Sequence, residues 1–303
     1  LPRQFFSIGQ VNGVWIHELV QWCLSKDSLV PVREERQDIS AILLFLQPST
    51  RTRISFELAM KSAGFATVVE TRVESLRIGD FYQESLGDAL LFLAEIFDVI
   101  VVRSGEKRHG LSEFPAPEYG FVVNAGDAAH DHPTQALGDI LTMARYSSKP
   151  LLGQKVLFFG ENNLRTVKSF QGALGLVGAK FETLVPSKRK GEDVLVRKVR
   201  WIEELNISLR EMGGADFIYL SGVDHPEFSA AYTPPQAGLL SERAQFSGSD
   251  FLKLHGKPLI MHPGPTSFDV DWTGILSPQS RIREQVQSAH QIRKKLALLL
   301  RRR

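Results

Sequence analysis

Cysteine is almost absent from this sequence. Cys23 is the single cysteine among 303 residues, so the chain cannot form an internal disulfide. No Cys and His residues fall at the spacings that are typical of metal sites. These absences favour a reducing compartment, and we expect a cytoplasmic protein.

The sequence also lacks an excess of charge and a long apolar run. Lys and Arg together number 36 and Asp and Glu together number 34, so no bulk positive field favours nucleic acid as a partner. No run reaches the roughly 18 apolar residues of a membrane-spanning helix, and the N-terminal segment lacks the basic-then-apolar order of a secretory signal. We therefore expect a soluble protein without a membrane partner.

What the sequence does contain is a regular alternation of short apolar runs and helical periodicity. Its length and its 43% of hydrophobic residues allow two domains of about 150 residues each. The predicted strands are residues 41–46, 65–70, 98–103, 120–124, 155–160, 180–185, 215–220 and 258–261. The predicted helices are residues 12–25, 54–60, 84–97, 132–143, 165–177 and 280–300. This alternation predicts an α/β fold with two doubly wound parallel-sheet domains joined by interdomain helices.

A cluster of turn residues at 147–150, Ser-Ser-Lys-Pro, is the predicted domain boundary. The first domain is predicted to span residues 1–147 and the second residues 148–279. The last helix, residues 280–300, has an apolar stripe and is predicted to pack back on the first domain. Residues 72–83 are polar and include a glycine, which favours a loop.

The most informative stretch is residues 49–53, Ser-Thr-Arg-Thr-Arg, between a predicted buried strand and an amphipathic helix. Such a junction presents unpaired backbone N–H groups and the positive end of the helix dipole at the carboxyl edge of the sheet. Guanidinium groups match phosphate oxygens bidentately, so Ser, Thr and Arg in one helical turn favour a phosphate ligand. The alternative is an ordinary helix start, in which Ser49 is the N-cap and the arginines face solvent.

Ligands of open α/β sheets bind outside the carboxyl ends of the strands, so the residues that follow the predicted strands are the candidate site residues. These residues are Ser49 to Arg53, Arg103, His132, Gln135, Arg165 and His262 to Pro265. The set has no carboxylate pair and no cysteine nucleophile, so it suits anion binding and polarisation of a carbonyl group better than covalent catalysis. Residues 159–163 lack the Gly-x-Gly-x-x-Gly spacing of a dinucleotide site. Taken singly, Arg103 also fits a surface ion pair and His132 also fits a helix start.

Three motifs stand in order along the chain: Ser-Thr-Arg-Thr-Arg with Ser-Phe-Glu at 49–57, His-Pro-Thr-Gln at 132–135 and His-Pro-Gly-Pro at 262–265. Together they resemble the aspartate/ornithine carbamoyltransferases, and the last motif with residues 282–286 is closer to the aspartate branch. The resemblance implies transfer of a carbamoyl group from carbamoyl phosphate to an amino-acid acceptor. It also implies a homotrimer with shared sites, alone or within a larger assembly, and no metal or organic cofactor.

The resemblance implies a role for each matching residue. Ser49, Thr50, Arg51 and Thr52 would hold the phosphate of the donor. Thr52, Arg103 and His132 would donate to the carbonyl oxygen, where negative charge grows in the tetrahedral intermediate. Gln135, with the main chain near Pro263 and Gly264, would hold the carbamoyl nitrogen. Arg165 would bind the carboxylate of the acceptor, and closure of the two domains would orient the two substrates.

The sequence departs from the family pattern near the acceptor. Residues 75–84 lack the family lysine, and Arg77 or Tyr82 lies nearest to its position. Residues 221–224, Ser-Gly-Val-Asp, replace the arginine and glutamine that bind a second carboxylate in the aspartate branch. Asp224 would repel an anionic acceptor. The donor motifs are therefore nearly intact, whereas the acceptor positions are altered.

Three hypotheses follow from this contrast. The first is carbamoyl transfer to L-aspartate, which gives N-carbamoyl-L-aspartate and phosphate in de novo pyrimidine biosynthesis. The second is a carbamoyltransferase that acts on a different amine. The third is a catalytically degenerate paralogue that serves as a structural subunit. Carbamoyl transfer ranks above the structural subunit because the donor motifs are present in order, and L-aspartate is the first candidate acceptor because the last motif is closer to the aspartate branch.

Overall fold

The computed structural model describes residues 4–25, 39–72, 77–78, 82–105, 110–114, 118–128, 130–186, 192–223, 245–266 and 269–302. Two compact units divide the chain. Unit 1 comprises residues 1–141 and 288–303, and unit 2 comprises residues 142–287.

Strands and helices alternate along both units. The strands are β1 (Gln4–Phe5), β2 (Ser40–Phe45), β3 (Ala66–Glu70), β4 (Arg77–Ile78), β5 (Tyr82–Gln83), β6 (Val99–Ser104), β7 (Phe121–Asp127), β8 (Lys155–Gly160), β9 (Lys180–Leu184), β10 (Phe217–Ser221) and β11 (Leu259–Met261). The helices are α1 (Gly13–Leu24), α2 (Thr50–Ser62), α3 (Leu86–Ala94), α4 (Pro133–Tyr146), α5 (Arg165–Leu176), α6 (Val194–Glu211), α7 (Gly248–Phe251), α8 (Trp272–Ile275) and α9 (Ile282–Arg301). Within the described ranges, no helix combines the length and the apolar character needed to cross a bilayer.

Unit 1 contains a parallel five-stranded sheet in the order β1-β7-β6-β2-β3. Residues 41–45 of β2 and all of β6 are buried, because helices cover both faces of the sheet. On one face, Ile42 and Ile100 pack with Leu90 of α3 in a single apolar cluster. Burial on both faces therefore explains why the apolar run at 41–46 is not interrupted by polar residues.

Unit 2 contains a parallel four-stranded sheet in the order β11-β10-β8-β9. Its core places Leu157 and Phe159 of β8 against Trp201 and Leu205 of α6. The Phe159 and Trp201 rings meet edge to face with centroids 6.2 Å apart. Two parallel-sheet α/β domains are thus present, and the predicted fold class is confirmed.

The sequence patterns missed the shortest elements. β1 pairs with β7 at an edge of the unit 1 sheet, and β4 pairs with β5 in an antiparallel ribbon. The prediction of a loop over residues 72–83 is therefore wrong at β4 and β5, because a two-residue strand is too short to show alternation. β7 also continues through Asp127, past the predicted strand end at residue 124.

One long helix is also absent from the sequence-based prediction, and one residue of another lies off its buried face. Charged residues interrupt the apolar positions of α6, although four residues bury one face of the helix and Asp193 caps its first turn. These four are Trp201, Ile202, Leu205 and Leu209. In α9, the helical spacing of Val286 places it on the apolar stripe with Ile282 and Ile292, which are buried, yet Val286 is 49% exposed.

Each sheet reverses its direction of winding next to one central strand. In unit 1, β2 lies between β3 and β6, and in unit 2, β8 lies between β9 and β10. The connections on the two sides of such a strand leave in opposite directions and open a crevice at its carboxyl end. The fold therefore places candidate sites after β2 and β6 in unit 1, and after β8 and β10 in unit 2.

Candidate functional site

The first turn of α2 follows β2 at the carboxyl edge of the unit 1 sheet. Ser49 is the N-cap residue and has extended backbone, yet its side chain makes no capping hydrogen bond. Its hydroxyl is therefore not used by the helix, and the orphan N–H groups of the first turn face the same edge. This geometry disagrees with the alternative in which Ser49 serves only as a helix cap.

The two arginines of this turn have different surroundings. Arg53 forms an ion pair one turn away, with Nη1 3.0 Å from Oε2 of Glu57. A hydrogen bond from Lys61 lowers the pKa of Glu57, and the charge of Arg53 adds to this effect. Arg51 is solvent-exposed, although partial desolvation by nearby protein lowers the pKa of its guanidinium. Arg51 is therefore accessible to a ligand at the edge of the sheet, whereas Arg53 is paired with Glu57 on the flank of the helix.

Arg103 lies near the end of β6, the strand beside β2. Its backbone oxygen accepts hydrogen bonds from the N–H groups of Leu46 at 2.9 Å and Gln47 at 3.3 Å, which ties the segment before α2 to β6. Its side chain is 9% exposed, and Nη1 donates to the carbonyl oxygen of Ala125 at 3.0 Å. The alternative of a surface ion pair for Arg103 is therefore wrong.

Gly126, in β7, brings Arg103 and His132 next to each other. Its φ of +119° is a conformation that residues with a Cβ rarely adopt. A Cβ at this position would collide with Nη1 of Arg103 and would lie 3.4 Å from Cδ2 of His132. The two side chains therefore pack on the same glycine, where no larger residue fits without moving them.

His132 and Gln135 lie at the beginning of α4. The backbone oxygen of His132 accepts hydrogen bonds from the N–H groups of Gln135 at 3.1 Å and Ala136 at 3.2 Å, so His132 does start the helix. Its side chain is 4% exposed and lies beside Gly126. Gln135 is half-buried, and its Nε2 donates to Oδ1 of Asp139 at 2.9 Å.

The unit 1 edge is thus rich in donors. Thr52 is 7% exposed in the first turn of α2, Arg103 ends the neighbouring strand, and His132 follows the next strand along. Charged and neutral N–H and O–H donors at one edge bind an anion and stabilise negative charge on a carbonyl oxygen. The sequence prediction of an anion site at this edge agrees with this placement.

In unit 2, Arg165 is the first residue of α5 and follows the central strand β8. Its side chain is half-buried, and its backbone oxygen accepts a hydrogen bond from Oγ of Ser169 at 2.8 Å. An arginine at a helix start on the carboxyl edge of a sheet is suited to a carboxylate, which its guanidinium binds bidentately.

The loop after β11 is held by hydrogen bonds around His262. The N–H of Gly264 donates to Nδ1 of His262 at 2.7 Å, so the ring proton is on Nε2, which donates to Oδ2 of Asp269 at 2.8 Å. The same oxygen accepts from the N–H of Gly222 at 3.1 Å, in the loop after β10. His262 and Asp269 are both buried, so the main chain at Pro263 and Gly264 is fixed by an internal network.

Sequence reasoning missed three charged residues beside these edges. Asp139 lies one helical turn after Gln135, a spacing that is visible in the sequence and could have revealed their contact. Arg293 is a buried cation within the apolar stripe of α9, and Asp269 is the buried partner of His262. No local pattern predicts that Arg293 and Asp269 are buried, because burial depends on which other segments cover a side chain.

Some predicted acceptor residues lie outside the part of the chain that the structure describes. They are Asp224 and the side chains of Arg77 and Tyr82. Among the residues that are described, no group of three or more His, Cys, Asp and Glu side chains is placed to hold a metal ion.

The family model for "Aspartate/ornithine carbamoyltransferase, carbamoyl-P binding domain" matches residues 3–145. The aspartate carbamoyltransferase catalytic subunit of Bradyrhizobium sp. is 34% identical over 313 residues, which cover 96% of this chain and 94% of that protein. The subunit of the same name from Nitrobacter winogradskyi is 34% identical over 272 residues, which cover 86% of this chain and 81% of that protein.

Solved structures give the same picture of the fold. The catalytic subunit of M. jannaschii aspartate transcarbamoylase has a TM-score of 0.70 at 23% identity, covering 98% of this chain and 97% of that one. Aspartate transcarbamoylase from Trypanosoma cruzi in complex with carbamoyl phosphate and aspartate has a TM-score of 0.70 at 22% identity, covering 98% and 94%. At these identities the likeness shows a shared fold.

Proposed function

Because this chain belongs to the aspartate/ornithine carbamoyltransferase family, we propose that it transfers the carbamoyl group of carbamoyl phosphate to an amino group. L-Aspartate is the first candidate acceptor, since the relatives are named aspartate carbamoyltransferases and the T. cruzi enzyme was solved with aspartate. The products are N-carbamoyl-L-aspartate and phosphate, in de novo pyrimidine biosynthesis.

The donor phosphate is assigned to the first turn of α2. Ser49, Thr50, Arg51 and Thr52 provide hydroxyls, N–H groups and one guanidinium in a single turn. The observation that carries the assignment is the Ser49 hydroxyl, which caps no N–H group although it stands at the N-cap. A phosphate oxygen near this turn is also stabilised by the positive end of the helix dipole.

The chemical step needs negative charge to be stabilised on the carbonyl oxygen. The amine nitrogen attacks the carbonyl carbon, a C–N bond forms, and the oxygen becomes an oxyanion that receives hydrogen bonds from Thr52, Arg103 and His132. The C–O bond to phosphate then breaks, and the leaving phosphate takes the proton released by the amine. Preorganised donors of this kind contribute about 3 kcal/mol each to transition-state stabilisation.

The remaining residues orient the two substrates. Gln135 and the main chain at Pro263 and Gly264 are assigned to the carbamoyl nitrogen, and Arg165 to the acceptor carboxylate. The network around His262 supports the assignment to main-chain groups, because it fixes the loop that carries them.

A second acceptor class is favoured by one specific observation. In the loop after β10, where the aspartate branch has an arginine and a glutamine, Gly222 donates instead to the buried carboxylate of Asp269. Because Asp269 already accepts the N–H of Gly222, this N–H is not available to a second carboxylate on the acceptor. An amino acceptor with a single carboxylate is therefore the alternative substrate.

We further propose a cytoplasmic homotrimer, alone or within a larger assembly. Large apolar side chains are exposed on α2 and on or next to α3 in unit 1, including Leu58 at 55%, Phe92 at 66% and Ile96 at 69%. Burial of such side chains against a second copy would stabilise an oligomer. Cys23 is buried and is the single cysteine of the sequence, so it forms no internal disulfide, which supports a reducing compartment.

The test is a product assay with labelled carbamoyl phosphate. With L-aspartate, the expected outcome is labelled N-carbamoyl-L-aspartate and one phosphate per product. A rate equal to that of the buffer blank rejects aspartate, and a screen of amines with one carboxylate then tests the alternative. If no acceptor gives product and carbamoyl phosphate does not raise the melting temperature, the chain is a degenerate structural subunit and the proposal fails.

A further inference from the structure

A fully buried carboxylate stands next to the proposed donor site without a role in the proposed reaction. Asp139 is 0% exposed on α4, and it accepts a hydrogen bond from Nε2 of Gln135 at 2.9 Å. Aspartate is rarely buried to this extent unless it is paired, so the position carries a structural cost that calls for a compensating interaction. The hydrogen bond from Gln135 suggests that the carboxylate of Asp139 orients the Gln135 side chain.

The hydrogen bond to Asp139 determines which end of the Gln135 amide faces the carboxylate. An ionised carboxylate only accepts hydrogen bonds, so the amide nitrogen must point toward Asp139. The carbonyl oxygen of Gln135 then points to the opposite side of the amide. A glutamine held in this way presents its carbonyl oxygen as a hydrogen-bond acceptor for a ligand, while one of its two N–H groups is engaged by Asp139.

A buried cation supports the negative charge of Asp139. Arg293, on α9, is 3% exposed and its guanidinium lies 5.1 Å from the centre of the Phe56 ring. Burial lowers the pKa of Arg293 to about 10, the negative charge of Asp139 counteracts this shift, and the positive charge of Arg51 adds to it. Arg293 therefore lies within electrostatic reach of both the carboxylate and the proposed phosphate-binding arginine.

The packing of α4 on α9 in unit 1 fixes this arrangement. A Cβ at Gly138 would lie 2.8 Å from Cα of Ala289, so the two backbones approach as closely as a glycine allows. Asp139 follows Gly138 directly, and Arg293 lies one turn after Ala289. The close helix contact thus brings the carboxylate and the guanidinium to the same buried region.

We propose that Asp139 is a positioning residue that makes the enzyme selective for a carbamoyl group over an acetyl group of the same shape. It does so by holding the Gln135 carbonyl oxygen toward the N–H groups of the carbamoyl nitrogen. A site built to hydrogen-bond an N–H group rejects an isostere that lacks it, because the buried acceptor is then left unpaired. This inference rests on the proposed function, since it takes carbamoyl phosphate as the donor.

The experiment compares two stable phosphonates that differ only in an amino or a methyl group, phosphonoacetamide and acetonylphosphonate. Calorimetric titration of the unmodified protein is expected to show a preference for phosphonoacetamide of about tenfold or more. In Asp139→Asn the Gln135 amide is free to turn over, and the preference is expected to fall to about threefold or less. Binding of inorganic phosphate, which has neither group, is expected to be unchanged.

The variants are chosen so that each outcome decides the question. Asp139→Asn leaves the charge of Arg293 buried without its carboxylate and could prevent folding. The double variant Asp139→Asn with Arg293→Met removes both buried charges. It is expected to show the same loss of preference if the single variant does not fold. Gln135→Leu is expected to lose the preference without any change at Asp139. A preference that survives in the Asp139 variants overturns the proposal, and so does an equal loss of affinity for all three ligands, which indicates a purely structural role.

The titration needs neither an acceptor nor turnover. A protein that shows the preference but forms no product therefore contradicts the proposed reaction alone. A protein that forms N-carbamoyl-L-aspartate but does not distinguish the two phosphonates contradicts only the role of Asp139.

Discussion

Both parallel sheets place a candidate site at the carboxyl end of a central strand. The two edges differ in whether the polar groups there are already hydrogen-bonded within the protein. In unit 1, the turn after β2 keeps the Ser49 hydroxyl out of any capping bond. In unit 2, the loops satisfy one another: the N–H of Glu161 donates to the oxygen of Ser221 at 2.7 Å, and Asp269 accepts from Gly222 and His262. A sheet edge therefore offers a ligand only the donors that its own loops do not use.

This contrast bears on the family pattern, which is kept at residues 49–53 in unit 1 and altered at residues 221–224 in unit 2. Under the proposed function, residues 49–53 bind the donor phosphate, so phosphate chemistry dictates their residue types. The unit 2 loops are constrained mainly to satisfy their own buried groups, and several residue combinations achieve this. Changes in the first turn of α2 are thus expected to alter binding more than stability, and changes at the buried Asp269 the reverse.

The largest expected effect is that of Arg51→Ala on donor binding. Hydrogen bonds to charged groups contribute about 1.5–3 kcal/mol, so affinity for phosphonoacetamide is expected to fall about 10- to 100-fold, measured by titration calorimetry. Arg53→Ala is the matched control, because Arg53 is paired with Glu57, and it is expected to change affinity by less than about twofold. Equal losses in the two variants would place the phosphate elsewhere on α2.

Asp269→Ala tests the other side of the comparison. It leaves the N–H of Gly222 and Nε2–H of His262 buried without their acceptor, so the free energy of unfolding is expected to fall by about 3 kcal/mol. Urea and thermal unfolding measure this loss. Affinity for inorganic phosphate, which is assigned to the first turn of α2, is expected to stay near that of the parent, and a large drop in this affinity would contradict the division of roles between the two edges.

A pair of glycine substitutions compares one helix of each unit. Gly138→Ala places a methyl group against Ala289 and is expected to lower the free energy of unfolding by about 2 kcal/mol. A methyl group on Gly175, in α5, would meet no other atom within 4 Å, so Gly175→Ala is expected to stabilise the protein by about 0.5–1 kcal/mol. Thermal unfolding of both variants checks the difference, and a stabilising Gly138→Ala would show that α4 and α9 separate easily.

The smallest effect concerns acid stability in unit 2. Burial alone would raise the pKa of Asp250, but hydrogen bonds from Lys198 and Ser247 lower it to about 2. Because the folded pKa lies below the unfolded value, the stabilisation is present above about pH 4 and is lost as the pH falls toward 2. Asp250→Asn is expected to lower stability by about 1 kcal/mol at pH 7 and to flatten the decline between about pH 4 and 2. An unchanged acid profile would assign that decline to other carboxylates.

Local sequence patterns were sufficient for much of this protein. Apolar runs such as residues 41–46 predict buried strands, because a parallel strand covered on both faces excludes polar residues along its whole length. The motifs at residues 49–53, 132–135 and 262–265 are likewise local, since each side chain acts within one turn or one strand end. The α/β class follows from these patterns alone, and the anion site proposed at the first edge starts from them.

The sequence by itself determined the elements and the chemistry that each strand end carries. Only the tertiary structure decided the order of the strands, the packing of Arg103 and His132 on Gly126, and the contact that places Asp139 near Arg293. The physical reason is range: periodicity and capping act within a few residues, whereas burial of a charge depends on which distant element covers it.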